Sequence, residues 1–190
     1  VADPNCYRFV SPPGPARHFL SVGTAPEPNL IAHYAFEGDA SDSAGSNDGL
    51  DHYVTYVEGM SGQAVEFSGS GNYHGAPESS FVEIDGSGSY DRYSITAWFQ
   101  TALPWDQVIF SDAHDAGTNS QGKPHLTVVN GRVGFASRRD CFVYSEEGYN
   151  DGHWHHAVGT IDTHTNAVQL YVDGLLVGQN TYNTHPLILD

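Results

Sequence analysis

The chain has few positive charges, and this limits what it can bind. Its 190 residues include 7 lysines and arginines against 23 aspartates and glutamates, so the formal net charge is −16 at pH 7. A surface of this sign repels the phosphates of nucleic acids and of anionic lipids. We therefore expect no nucleic-acid partner, whereas cations, neutral sugars and basic proteins remain compatible with the charge.

Cysteines and long apolar runs are also scarce. Cys6 and Cys141 are the two cysteines, and their wide separation in the sequence excludes a Cys-x-x-Cys redox or zinc pair. We favour a single disulfide between them, within one chain or between two chains. No stretch holds the roughly 18 uncharged apolar residues of a transmembrane helix, so membrane insertion is not expected.

The sequence motifs that mark catalysis are missing or incomplete. There is no Gly-x-Ser-x-Gly elbow and no phosphate-binding glycine loop. Glu83 and Asp85 begin the Glu-x-Asp-x-x-Glu motif of laminarinase-type glucanases, but Ser87, Gly88 and Ser89 follow where the second glutamate is needed. Because glycoside hydrolysis uses two carboxyl groups, we predict no catalytic residues and no enzyme.

Three histidines surround a tryptophan in residues 153 to 156 and suggest a metal site at first sight. In a strand, alternation places His153 and His155 on one side and Trp154 and His156 on the other. The three histidines therefore cannot converge on one metal ion. We predict a structural strand in which Trp154 fills the core and the histidines flank it.

From residue 30 onward, short apolar runs alternate with glycine, asparagine and aspartate, which is typical of strands. Residues 30 to 36 and 94 to 99 each predict a strand, the second with Ile95, Ala97 and Phe99 on one face and Thr96 and Trp98 on the other. No run has a helical period. We predict an all-β fold, a two-sheet antiparallel jelly-roll sandwich.

Two dipeptides predict tight hairpins. Asn130-Gly131 and Asp173-Gly174 each lie between two apolar runs. Both central residues of a type I′ turn need positive φ, which asparagine, aspartate and glycine tolerate.

The first 28 residues differ from the rest. They hold six of the ten prolines and show no sustained periodicity, so we predict an extended proline-rich arm over residues 1 to 28. Residues 29 to 190 then form the jelly-roll domain.

An acidic loop is predicted between residues 37 and 49. It offers side-chain oxygens amid small residues, the ligands that calcium accepts, from Asp39, Asp42, Asn47 and Asp48. The spacing is not that of an EF-hand. Calcium is thus the candidate cofactor, and the alternative is a solvated loop stabilised by Asx-turns.

Four aromatic residues in turn-rich stretches are candidates for contacting a ligand. They are Tyr53, Tyr56, Trp105 and Tyr149. Exposed aromatic rings of this kind bind sugars and proteins. The alternative for each is that the ring packs beneath its own loop.

Several segments resemble, in order, the laminin G-like and concanavalin A-like jelly rolls, including the pentraxin-related group. They are residues 30–49, 62–73 with 81–84, 93–101, 150–162 (Asn-Asp-Gly-His-Trp-His-His) and 167–178 (Leu-Tyr-Val-Asp-Gly). The resemblance implies two antiparallel sheets, an extracellular location, and binding or architecture more often than catalysis. It also implies frequent calcium at the rim, here matched only by the loop at Asp42-Ser-Ala-Gly.

The resemblance fails at the closing strand. The family ends with a strand of the type Ile-Asp-Glu-Val-Arg-Ile-Tyr, whereas residues 185 to 190 read His-Pro-Leu-Ile-Leu-Asp. We predict that the arm, a neighbouring molecule or further sequence supplies that strand.

The composition, the motifs and the resemblance together suggest two candidate functions. The first is a non-enzymatic extracellular recognition or adhesion module that binds a glycan or an extracellular protein, with calcium assisting. The alternative is a structural subunit of an extracellular fibre or coat, in which copies of the chain assemble through the arm and strand addition.

Overall fold

The structure is a computed structural model that describes residues 30–67, 80–84, 88–111, 125–137, 142–182 and 184–189. The predicted arm, Cys6 and Cys141 lie outside these residues. Within them the chain forms strands and no helix, so this part of the chain contains no helix that could span a membrane. The described residues fall into two compact units, from 30 to 84 and from 88 to 189.

The first unit contains two antiparallel strand pairs. β1 pairs with β4, and β2 pairs with β3. Their bounds are β1 Gly49–His52, β2 Thr55–Glu58, β3 Gln63–Glu66 and β4 Phe81–Ile84.

The second unit contains two four-stranded antiparallel sheets, ordered β10-β9-β8-β7 and β13-β12-β11-β6, and a further pair, β14-β5. The strands are β5 Gly88–Tyr90, β6 Arg92–Gln100, β7 Gln107–Ser111, β8 His125–Val129, β9 Arg132–Ala136, β10 Val143–Tyr144, β11 Trp154–Asp162, β12 Ala167–Val172, β13 Leu175–Thr181 and β14 Leu187–Leu189.

The two four-stranded sheets enclose the hydrophobic core of the second unit. Leu126 and Phe135 from one sheet, and Ile161 and Leu170 from the other, are buried and belong to one cluster. The sheets pack tightly at Gly159, where an added Cβ would come within 2.3 Å of the Phe135 ring. The predicted all-β sandwich is confirmed.

Both predicted hairpin turns are present with the required backbone. Asn130 and Gly131 have φ of 50° and 78°, and they join β8 to β9. Asp173 and Gly174 have φ of 51° and 77°, and they join β12 to β13.

The prediction that Trp154 fills the core is wrong. The buried positions of β11 are Ala157, Gly159 and Ile161, so Trp154 lies on the opposite, outer face with His156. Alternation fixes which residues share a face, but the Phe135 ring helps decide which face turns inward, because the β11 residue packed against it must be a glycine.

The strand prediction for residues 30 to 36 also needs correction. Residues 30 to 36 form only an isolated bridge, from Tyr34 to Asp42, and Phe36 has φ of 57°, which no extended strand allows. At the other end, Leu187–Leu189 forms β14, which pairs with β5 in the register Leu187 to Tyr90. Because β14 pairs with β5 and not with the first strand of the chain, the source of the closing strand stays a prediction.

Candidate functional site

Three loops of the second unit meet beside its two sheets, and we call them the Trp105 loop cluster. They are residues 101–106 between β6 and β7, residues 130–131 between β8 and β9, and residues 145–153 between β10 and β11. They come together because each connects strands of the same sandwich.

Hydrogen bonds tie the three loops to one another. The Gly152 amide donates to the Thr101 carbonyl at 2.9 Å, and the Asn150 side-chain amide donates to the Leu103 carbonyl at 3.2 Å. Two further hydrogen bonds connect the β8–β9 turn to the other two loops. The Asn130 amide donates to Asp106 Oδ1 at 3.1 Å, and the Tyr149 amide donates to the Gly131 carbonyl at 2.7 Å. The cluster therefore has a fixed backbone.

Trp105 projects from this fixed backbone into solvent. Its side chain is 60% exposed, although its carbonyl accepts a hydrogen bond from the Gln107 side chain at 3.0 Å. The buried Thr101 hydroxyl in turn donates to Gln107 Oε1 at 2.7 Å. The loop thus holds an exposed indole on an ordered support, so the alternative that Trp105 packs beneath its loop does not apply.

Polar side chains accompany Trp105 on the same loops. Asp151 accepts the His153 amide at 2.9 Å, and its other oxygen lies 3.2 Å from His153 Nδ1. The His153 amide and the His155 ring hold the pKa of Asp151 well below its usual range, so this exposed carboxylate stays ionised. These groups can accept and donate hydrogen bonds to a ligand's hydroxyls.

His155 lies beneath the cluster between two carboxylates. Its side chain is only 13% exposed, with Nδ1 2.8 Å from Asp173 Oδ2 and Nε2 3.1 Å from Asp151 Oδ1. Burial opposes the charged form, but the hydrogen bonds to Asp173 and Asp151 outweigh it and raise the pKa of His155. Both ring nitrogens face acceptors, so the imidazolium form satisfies this site.

Tyr149 belongs to the support of the cluster. Its ring packs against the hydrophobic core and meets His155 edge-on, with ring centroids 5.0 Å apart. Burial, with the charges of Asp173 and Glu147, raises the pKa of its hydroxyl. This geometry favours the packing alternative for Tyr149 over direct ligand contact.

The charge on His155 predicts a pH dependence of stability. Because its pKa is raised on folding, its stabilisation is complete below the ordinary value of about 6.5 and is lost as pH rises through the folded pKa. At pH 6, His155→Gln should cost on the order of 1 kcal/mol, since Asp151 is half exposed and partly screened. Thermal unfolding between pH 5.5 and 9 should show this difference shrinking as pH rises.

The matched control is His153→Gln. His153 also approaches Asp151, but its side chain is 80% exposed, so its loss should leave the unfolding midpoint nearly unchanged. A constant difference between wild type and His155→Gln across this pH range would contradict the assignment.

Tyr53 and Tyr56 belong to the first unit, so they are described apart from Trp105 and Tyr149. Tyr53 follows β1 and is 72% exposed. Tyr56 is partly buried, and its hydroxyl donates to Asp51 Oδ2 at 2.7 Å. Burial and this hydrogen bond raise the pKa of Tyr56. Tyr53 therefore offers a free ring, whereas the hydroxyl of Tyr56 is already engaged.

The acidic loop of the first unit is organised around Asp42, which is only 7% exposed. Its Oδ1 accepts the amides of His33 at 2.9 Å and Ala44 at 3.0 Å, and its Oδ2 accepts that of Asn47 at 3.1 Å. Burial would raise the pKa of Asp42, but these backbone donors lower it overall. Both oxygens are thus engaged in folding the loop.

The other predicted metal ligands have local partners as well. Asp48 accepts the Asp42 amide at 2.8 Å, Asp39 accepts the Ser41 amide at 3.0 Å, and the Asn47 carbonyl accepts the Tyr34 hydroxyl at 2.5 Å. Burial and the charges of Asp42 and Asp48 raise the pKa of Tyr34 to about 12. Across the described ranges, no group of three or more His, Cys, Asp or Glu side chains is arranged to hold a metal ion. Calcium binding stays a prediction, and it is not favoured by a loop whose side-chain oxygens already accept hydrogen bonds from backbone amides.

Trp98 is an exposed residue that the candidates from the sequence do not include. It lies within β6 and is 51% exposed on the outer face of its sheet. The signal was present, because alternation already placed it opposite Ile95, Ala97 and Phe99. A tryptophan inside a strand is usually packed, however, so its position alone did not distinguish a binding residue.

The fold agrees with a known family. A laminin G-type family model, described as the concanavalin A-like lectin/glucanases superfamily, matches residues 68–189. This match covers more than half of the chain, and the chain belongs to that superfamily. No curated protein sequence matches it.

Among solved structures, the chain is similar to domain 4 of AbnA, a GH43 extracellular arabinanase from Geobacillus stearothermophilus, in complex with arabinotriose. The TM-score is 0.62 at 21% sequence identity, and the match covers 84% of this chain and 78% of that one. At this identity the similarity establishes the fold.

Proposed function

We propose that the chain is an extracellular, non-catalytic carbohydrate-binding module whose Trp105 loop cluster binds a neutral glycan. The observation that carries this proposal is the exposed indole of Trp105 on loops held by hydrogen bonds. A planar aromatic ring buries the apolar face of a sugar ring at little entropic cost, and nearby polar groups orient its hydroxyls.

The charge of the chain supports a neutral ligand. A net charge of −16 disfavours anionic polysaccharides, whereas an uncharged sugar has no such penalty. On the loop bonded to the Trp105 loop, the side chains of Asn150, Asp151 and His153 offer both donors and acceptors.

The comparisons also support the proposal. The similar domain of AbnA binds arabinotriose and belongs to an extracellular enzyme as a separate domain. This motivates arabinose-containing glycans as the first ligands to test, and an extracellular location for this chain. The alternative function is adhesion through a protein partner, a role that many laminin G-like domains have.

A non-catalytic role agrees with the incomplete glucanase-like segment. Glu83, whose Oε2 lies 3.1 Å from His52 Nε2, is followed by Ser87, Gly88 and Ser89 where a second glutamate is needed for hydrolysis. Asp85 lies outside the described residues.

The test is glycan binding by Trp105→Ala. We expect wild type to bind arabinotriose or linear arabinan in isothermal titration calorimetry, and Trp105→Ala to weaken that binding at least about tenfold. Trp105→Phe should retain part of the affinity because it keeps an aromatic face.

The control is Leu103→Ala, since Leu103 is an exposed apolar residue of the same loop. It should bind like wild type. If Trp105→Ala and wild type bind the glycan with equal affinity, the Trp105 loop cluster is not the binding site. A wild-type chain that binds no neutral glycan on an array, but captures an extracellular protein, would support adhesion instead.

Calcium assistance is tested in the same titration. If calcium supports the site, EDTA should weaken glycan binding and added Ca²⁺ should restore it. Affinity that is unchanged by chelation would contradict a role for calcium and leave the glycan proposal intact.

A further inference from the structure

The outer face of the sheet β13-β12-β11-β6 carries aromatic side chains in register. Trp98 on β6 lies opposite His156 on β11, and Gln100 lies opposite Trp154. The next row along the strands contains Thr96, Val158, Tyr171 and Leu176. Trp98 and Trp154 are thus diagonal neighbours on adjacent strands, and one extended ligand can span the roughly 7–8 Å that is typical of such positions.

Trp98 is held in place while it is exposed. Its ring centroid lies 4.9 Å from that of His156 with an interplanar angle of 37°, and His156 Nε2 lies 2.7 Å from Thr96 Oγ1. The backbone of His156 is fixed to Asp173, which accepts its amide at 2.9 Å and donates to its carbonyl at 2.8 Å. A ring already oriented in this way loses little conformational entropy when a ligand stacks on it.

The central part of this face lacks charge, although the chain as a whole is strongly acidic. Across the described strands, the row beyond Thr96 consists of Ser94, Thr160, Gln169 and Gln179. The Arg92–Asp162 ion pair, at 3.1 Å, occupies the far end. At the near end, the Asp173 carboxylate is engaged by His155 and the His156 amide. Hydroxyls and amides between aromatic rings suit a neutral polyhydroxylated ligand.

We infer that this face, centred on Trp98 and His156, is a second binding surface for a neutral polysaccharide, separate from the Trp105 loop cluster. It shares the ligand class of the proposed function but does not require the loop cluster to bind. A chain of several sugar rings would contact Trp98 and Trp154 together, with the glutamines and threonines bonding to its hydroxyls.

Fluorescence can test the two surfaces separately, because the chain has three tryptophans and all of them lie in these two places. Trp105→Phe/Trp154→Phe keeps only Trp98, and Trp98→Phe/Trp154→Phe keeps only Trp105. Linear arabinan, xylan and laminarin are the probes. We expect at least one of them to shift the emission of the Trp98-only variant and to reduce its quenching by acrylamide at least twofold.

Affinity measurements complete the test. Trp98→Ala should weaken polysaccharide binding about tenfold, while Val108→Ala, at an exposed position of the other four-stranded sheet, binds like wild type. Circular dichroism and thermal unfolding of each variant verify folding. If Trp98→Ala loses its fold, Trp98→Phe and the Trp98-only fluorescence decide the question.

The outcomes separate this inference from the proposed function. Protection of Trp98 without protection of Trp105 supports the sheet surface and overturns the loop cluster. Protection of Trp105 alone overturns the sheet surface and leaves the proposed function standing. If none of the three polysaccharides protects either tryptophan, both are overturned.

Discussion

Phe135→Ala should lower the free energy of unfolding by about 3–5 kcal/mol, the largest effect that we expect from a single substitution. Phe135 is fully buried in β9, between the two sheets of the second unit, and its ring lies against Gly159 of β11. Truncation removes the ring's burial and leaves a cavity that the backbones of two sheets cannot readily close. Urea unfolding followed by circular dichroism measures the change.

Phe135→Leu is the matched control. It keeps an apolar side chain of intermediate volume, so it should cost clearly less than Phe135→Ala. Similar losses for the two variants would mean that the ring does not fill the space between the sheets.

The contact with Gly159 makes a second variant informative. An added Cβ would lie 2.3 Å from the ring, so Gly159→Ala alone should cost about 1–3 kcal/mol through overpacking. In the Phe135→Ala background the methyl group enters the cavity, and the cost should fall or reverse sign. Strictly additive free energies would contradict direct packing of these two residues.

Asp42→Ala should cost about 3 kcal/mol, the second largest effect. Asp42 is nearly buried and accepts three backbone amides, from His33, Ala44 and Asn47. Loss of a charged acceptor leaves these donors without their partner, at roughly 1–3 kcal/mol for each that water cannot reach. Hydrogen exchange at the three amides, together with the thermal midpoint, measures the change.

Asp42→Asn is the control for shape. It retains one carbonyl oxygen but replaces the other acceptor with a donor that faces the Asn47 amide, so its loss should be intermediate. Because the pKa of Asp42 is lowered on folding, its stabilisation is present above the ordinary aspartate pKa of about 3.9 and is lost as pH falls through the folded value. Unchanged exchange at all three amides in Asp42→Ala would contradict this role.

Local chemistry explains which parts of the fold were predictable. Asn130-Gly131 and Asp173-Gly174 specify their own turns, since asparagine, aspartate and glycine readily adopt the positive φ angles that these turns require. Alternation likewise predicted the two faces of β6. The all-β sandwich followed from many such short-range signals together with the resemblance to the family.

Long-range partners explain the errors. The inward face of β11 depends on the ring of Phe135, which adjacent residues do not reveal, and so Trp154 was assigned to the wrong face. Residues 30 to 36 alternate like a strand, but Asp42 captures the His33 amide and organises a loop instead. The same aspartate was predicted as a calcium ligand, because oxygen-rich composition does not show where the backbone amides will lie.

The candidate site was predicted only in part, because the exposure of a side chain also depends on residues that are distant in the sequence. Trp105 was identified from its turn-rich surroundings, and the structure places it in the open. Tyr149 has similar surroundings, yet its ring packs on the core because His155 and Phe99 lie beneath the loop. Trp98 was missed because its exposure depends on how its sheet faces the rest of the second unit.

The turn at Asp173 has a consequence for how this protein can evolve. One carboxylate holds the His156 backbone that positions the ring beside Trp98, and it also holds His155, which reaches Asp151 in the Trp105 loop cluster. Changes at either tryptophan can therefore adjust one surface alone, whereas a change at Asp173 disturbs the support of both. Under the proposed function, ligand preference can therefore diversify among descendants of this sequence at the tryptophans, while Asp173 is held constant.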